Sequence, residues 1–198
     1  MPTAVLEQTS PAEAPRKRWT RAECAAVEAT GVWDQQHIEL INGELISKMG
    51  KKRLHTVTMT LVHTWLGRVF GPHYVNSETP IDVAAKDNLI NEPEPDLIVL
   101  SRPSHEILTG NVQPSDLRLV VEISDSTLGF DLKVKAPLYA RAGIPEYWVV
   151  DISGRRIIVH RDPREGAYGS IEAYSEQEAV RPLAAPEQAF PVSSAFLA

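Results

Sequence analysis

Asp96, Glu122 and Lys135 are the residues whose types and order could carry out a reaction. Two carboxylates and an amine form the minimum set for metal-assisted hydrolysis of a phosphodiester bond. The carboxylates offer hard oxygen ligands to a Mg2+ ion that keeps several waters, with Mn2+ as a substitute. An ion held there lowers the pKa of a bound water and neutralises charge on the scissile phosphate. Lys135 would orient or help deprotonate that water, or stabilise the charge that develops in the transition state. The peptide carbonyl of Ile123 could complete the inner shell. All of this requires Asp96 and Glu122 to sit on adjacent strands. Each residue also has a plainer reading: Asp96 as a turn residue fixed by Pro95, Glu122 as a carboxylate on a solvated sheet face, Lys135 as an exposed lysine.

The elements that must position these groups are readable from pattern. Glu122 lies in LRLVVEIS, which alternates as a strand, with Leu117, Leu119, Val121 and Ile123 on one face and Arg118, Val120, Glu122 and Ser124 on the other. A carboxylate among Val120, Val121 and Ile123 is costly to bury unless a cation, a metal or several donors compensate it. Pro93 and Pro95 exclude helix and hold Asp96 at the entrance of DLIVLS, a short apolar strand. After the turn DSTLGF, Asp131 is placed to cap a helix that runs to Ala142 and stops at Gly143. Pro137 requires either that this helix starts near Ala136 or that it kinks there.

Upstream, Thr20 and Glu23 make a capping box for a helix through AECAAVEAT. In HIELINGELI, Asn42 and Gly43 separate two apolar runs as a two-residue hairpin turn, with Glu39 and Glu44 near it. Leu54, Val57, Leu61, Trp65, Leu66 and Val69 recur at helical spacing up to Gly71 and Pro72, which predicts the longest helix. Lys51, Lys52 and Arg53 precede it. Cations there oppose the macrodipole, so they either receive a phosphate backbone or are solvated charge. IPEYWVVDI and RRIIVHRD form a second hairpin through Ser153 and Gly154. Short runs around Tyr168, Ile171, Tyr174 and Val180 predict further edge strands.

The chain has 198 residues, 43% hydrophobic and 23% charged, enough for one core. Residues 1–18, rich in Pro, Ala and Glu, read as a flexible tail, and 19–198 as a single domain. A net charge of −6 argues against coating nucleic acid by bulk charge, although not against a local basic groove beside an acidic site. Cys24, the lone cysteine, rules out an intrachain disulfide and fits a reducing compartment. No apolar run reaches membrane-span or signal-peptide length, so the expected location is the cytoplasm. Phosphate-loop and GxSxG motifs are missing.

The order PEPD, then LVVEIS, then Asp131 followed four residues later by Lys135, then Tyr139 and GIPEYWVVD, resembles the Uma-type restriction endonuclease family, a branch of the PD-(D/E)XK nuclease-like superfamily. The likeness spans roughly residues 20 to 190 and includes ELINGEL and His55. It implies an α/β (α+β) fold with a restriction-endonuclease-like three-layer core, a central mixed sheet flanked by helices. It also implies a Mg2+-dependent endonuclease acting on DNA. Asp96 takes the place of the motif's first acid and Glu122 of its second. Ser124 stands where the plain pattern has its lysine, which points to Lys135 on the following helix, with Lys133 as the substitute. Glu44, and less directly Glu39, would be the additional early acid, and Asp131 a partner of Lys135. Two chains could pair as a homodimer to cut both strands. The main alternative is a catalytically silent nuclease-like fold that binds nucleic acid or protein. A glycosidase built on the same two acids lacks a flanking sugar-binding aromatic cluster.

Overall fold

The computed structural model describes residues 16–33, 38–47 and 52–197. In chain order these form α1 (Arg21–Glu28), the hairpin β1 (Ile38–Ile41) and β2 (Glu44–Ser47), α2 (Arg53–Phe70), β3 (Val75–Ser77), β4 (Leu97–Leu100) and β5 (Leu117–Ser124). A helical segment follows, made of α3 (Leu128–Phe130), a π-helical turn (Asp131–Lys135) and α4 (Ala136–Arg141). The chain continues with β6 (Glu146–Asp151), β7 (Arg156–Arg164), β8 (Ala167–Ser175), and the short pair β9 (Ala179–Val180) and β10 (Phe190–Pro191).

Strands β3 to β8 lie in sequence order in one six-stranded sheet. All neighbours are antiparallel except the central pair β5 and β6, so the sheet is mixed. That parallel pair is buried on both faces, as parallel strands covered by helices must be. Leu97, Val99, Leu119, Val121 and Trp148 face Val62 and Leu66 of α2. Ile98, Val120, Tyr147 and Val149 face Leu138 and Tyr139 of α4. The result is the expected three-layer core, and Glu122, between Val121 and Ile123, belongs to the α4 side.

Three local features bear on the site. The Thr20–Glu23 capping box is present, and the hairpin turn has Asn42 and Gly43 both at positive φ, 51° and 77°. A side chain at Gly43 would also meet Arg18 Cβ at 2.8 Å. The hairpin is tied to the segment before PEPD: Gly43 N–H donates to the Ile90 carbonyl, and Leu40 and Glu92 exchange backbone hydrogen bonds. The buried ridge of α2 is Thr58, Val62 and Leu66, while Leu54 is 52% exposed, so the true stripe is rotated from the expected one. Thr58 is buried although polar, and an apolar count passes over it. Finally, α4 starts at Ala136 with Pro137 in its first turn, the first of the two expected arrangements, but it continues directly from the π-helical turn Asp131–Lys135. Pro137 has no N–H for the Lys133 carbonyl and its ring crowds it. The preceding turn widens instead, with Ala136 N–H bonding the Asp131 carbonyl five residues back.

The expected tail falls largely on residues 1–15, which lie outside the described residues, as does Lys51. Among the described residues no helix is long and apolar enough to cross a membrane.

Candidate active site

Strand β4 runs antiparallel to β5 with Leu97 opposite Val121, so one residue further along Asp96 comes opposite Glu122. Asp96 is thus beyond the last rung, where its carboxylate replaces the missing ladder partner: Ile123 N–H donates to Asp96 Oδ2 at 2.8 Å. In a strand, the N–H and C=O of one residue point to the same side. The Ile123 carbonyl is therefore turned past the end of β4 as well, while the Ser124 carbonyl faces β6 and accepts from Ile152. His55, in the first turn of α2, lies 3.2 Å from the same Asp96 oxygen through Nε2.

Glu122 Oε1 accepts from Lys135 Nζ at 2.8 Å and from the Tyr139 hydroxyl at 3.0 Å. Its second oxygen, Oε2, accepts no hydrogen bond from the described residues. Lys135 and Tyr139 are four apart on the helical segment and reach the sheet from one side. Lys135 also reaches Glu39 Oε1 at 2.9 Å, and Glu39 Oε2 takes the Glu94 N–H. The lysine is 3% exposed and bridges two carboxylates that are almost as deeply buried.

These groups line a cavity of about 170 Å³ between the sheet end, α2, the β1–β2 hairpin and the π-turn. Glu39, Asp96, Glu122 and Asp131 supply four buried carboxylates to its wall, and Lys135 is the buried cation among them. Burial pushes the Glu122 carboxyl up to about 8. Lys135 works against the rise, and the charges of Asp96, Asp131 and Glu39 add to it. Burial alone would lower the Lys135 ammonium, but Glu122, Glu39 and Asp131 outweigh it and raise its pKa. Lys135 therefore holds its proton. Desolvation also raises Asp131, against the pull of Lys135 and a hydrogen bond from Thr127 Oγ1 at 2.7 Å. The Tyr139 hydroxyl is raised well above its ordinary value, first by burial and then by Glu122, so it remains a donor.

The expected residues divide clearly. Asp96, Glu122, Ile123 and Lys135 come together around the cavity. Glu44 does not: it is exposed on β2, on the same face as Glu39 but one pleat repeat nearer the hairpin tip than Ile46, the partner of Glu39. Glu39 takes the place the reading gave first to Glu44. Lys133 is exposed and away from the cavity. Asp131 is not the N-cap expected of it: it closes α3 as its C-cap and opens the π-turn, with its carboxylate accepting from Thr127. Ser124 is buried, with its hydroxyl 3.4 Å from that of Thr127. Tyr139 is buried in the core and also bonds Glu122, and its spacing of four from Lys135 is the signal that it shares that residue's target. Glu146 of GIPEYWVVD is fully buried but structural, holding Arg161, the Trp148 indole N–H and the Leu183 N–H.

Among the described residues no three His, Cys, Asp or Glu side chains are grouped as a ready ligand set for a metal. The wall is nonetheless suited to a hard divalent cation. It carries more buried carboxylates than cations, an imbalance that Glu122 relieves in this state by its raised pKa. Asp96, Glu122 and the Ile123 carbonyl are oxygen donors of the kind Mg2+ takes one or two at a time while keeping its waters.

The family model of Uma2, described as "Putative restriction endonuclease", matches residues 28–193. No curated protein matches. Among solved structures, the chain is similar to the crystal structure described as "a putative nuclease belonging to DUF820" from Anabaena variabilis ATCC 29413. The identity is 17% and the TM-score 0.60, with 80% of this chain and 89% of that chain covered, a likeness of fold alone.

Proposed function

Because this chain belongs to the Uma2 restriction endonuclease family, we propose that it is a metal-dependent DNA endonuclease whose active site is the acidic cavity around Glu122. The observation that carries the reading is the meeting of Asp96, Glu122 and Lys135 at the end of two adjacent strands, with Glu122 Oε1 engaged by Lys135 and Tyr139. The arrangement fits a PD-(D/E)XK-type site whose lysine has moved to the following helix. Asp96, Glu122 and the Ile123 carbonyl would hold Mg2+ or Mn2+, which when bound supplies an acidic water and neutralises phosphate charge.

The chain's own residues do the rest. Lys135, doubly paired and with a raised pKa, is not a proton acceptor at neutral pH. Of the roles open to it, it keeps the electrostatic one: a fixed positive charge beside the reacting phosphate in a site of low dielectric. Tyr139 and Lys135 together fix the rotamer of Glu122, and Glu39 and Glu94 fix Lys135 to the hairpin side. Asp96 is oriented by the Ile123 N–H and His55. Lone, unpaired Cys24 supports a reducing cytoplasm. Two such centres in a homodimer are the simple route to a double-strand break.

The test is cleavage of plasmid, single-stranded and branched DNA with Mg2+ or Mn2+ against EDTA. Metal-dependent cutting that Asp96→Asn abolishes is expected. No cutting of any of the three, with no Mg2+-dependent rise in thermal stability, would leave the silent binding module as the reading.

A further inference from the structure

Lys52 and Asp125 belong to the cavity lining but have no part in the chemistry described so far. Lys52 directly precedes α2, and Asp125 directly follows β5, so two different elements bring them to the cavity. Their side chains meet there, Lys52 Nζ to Asp125 Oδ2 at 3.0 Å. Lys52 is 70% exposed and Asp125 22%, so the pair is solvated at one end and anchored at the other. An exposed pair of this kind adds little to stability. Nor does Lys52 help its helix, since a cation at an N-terminus opposes the macrodipole. What the pair does is hold one ammonium over the mouth of a cavity whose other charges are mostly negative.

On the nuclease reading, on which this inference rests, a DNA strand must bring a phosphate into that cavity past its acidic rim. We propose that Lys52 binds a backbone phosphate next to the scissile one at the cavity mouth, and that Asp125 holds the lysine in place until the phosphate displaces it. The ligand class is a phosphodiester backbone, recognised by charge and without regard to base sequence. Asp125 keeps the ammonium poised over the opening, at the cost of competing with the incoming strand.

The experiment is fluorescence anisotropy of a labelled mixed-sequence DNA duplex binding to the full chain in Ca2+, titrated over a range of salt. For the wild type, log K falls linearly with log salt. Lys52→Met is expected to weaken binding and to reduce the steepness of that line by about 0.9, the loss of one phosphate contact on duplex DNA. Lys52→Arg should restore both. The same charge change at exposed Lys86, away from the cavity, should leave the slope unchanged. Asp125→Asn should tighten binding roughly two- to five-fold, the size of an exposed ion pair. A wild type that binds DNA with a normal salt dependence, alongside a Lys52→Met slope equal to it, overturns this inference and leaves the nuclease reading standing. A wild type with no salt-dependent DNA binding overturns both. Lys52 and Lys86 are solvated and Asp125 is half-buried, and an unchanged thermal midpoint verifies that each variant is folded.

Discussion

Replacing Glu122 with glutamine should change how the metal-free protein responds to pH more than how well it folds. Glutamine keeps the volume, and its Oε1 can still accept from Lys135 and Tyr139. What disappears is a buried acid whose pKa rises from 4.5 to about 8, first because of burial and further because of Asp96, Asp131 and Glu39. With the native value above the unfolded one, the native state binds more protons than the unfolded state between these limits. The stability this group contributes is complete below about 4.5 and is lost as pH climbs through about 8. The interval of about 3.5 pH units, at about 1.36 kcal/mol each, sets a ceiling of roughly 5 kcal/mol. That is a large share of the ~5–15 kcal/mol of a typical domain. The assay is urea unfolding in EDTA at half-unit steps from pH 5 to 8.5. The wild type should lose several kcal/mol relative to Glu122→Gln across this window, and the variant should be the more stable protein at pH 8. Lys135 adds no slope here because its raised pKa and its unfolded value both lie above the window. His160 is not coupled to Glu122 and titrates equally in both proteins, so the difference curve reports Glu122 together with its coupling to Asp131. Parallel curves for the two proteins would refute the claim that a strained carboxyl sits at the centre of this cavity.

Lys135→Met strands Glu39 and Glu122 in a buried site without their shared cation, and urea unfolding at pH 7 should show a loss of about 3–5 kcal/mol. Saturating Mg2+ should recover part of that loss. Tyr139→Phe removes one donor to Glu122 while keeping the ring that packs against Tyr147. The expected cost is about 1.5–3 kcal/mol by urea unfolding above pH 8, and less at pH 5, where Glu122 is protonated. Mg2+ itself should stabilise the wild type by about 2.7 kcal/mol at a hundredfold excess over its Kd, read as a rise in thermal midpoint, and Asp96→Asn should abolish the rise.

The parts of the fold legible in the sequence are those governed by short-range rules. The Asn42–Gly43 turn, the Thr20–Glu23 box and the apolar runs of β4, β5 and β6 each follow from local geometry, and the structure contains all of them. The pairing of Asp96 with Glu122 needed one further fact, that β4 and β5 are neighbours, which strand patterns permit without specifying. Less legible is whatever depends on where a side chain ends. Glu39 and Glu44 lie on one face of the same hairpin, and nothing local says which of them stands over Lys135. The hydrogen bonds between Leu40, Gly43 and the loop through Ile90 and Glu92 decide it, and those are contacts of long sequence separation. Similarly, Pro137 announces a departure from a plain α-helix without saying which one. The π-turn is what brings Asp131 and Lys135 to the cavity wall together.

The claim on which the account turns is that Asp96 and Glu122 share one metal ion. A crystal grown or soaked with Mn2+ near pH 8, where Glu122 gives up its proton, would locate the ion by its anomalous signal. One peak is expected within inner-sphere distance of both carboxylates and of the Ile123 carbonyl, with Lys135 still bonded to Glu122 Oε1. A peak elsewhere, or acids too far apart to share the ion, would contradict it.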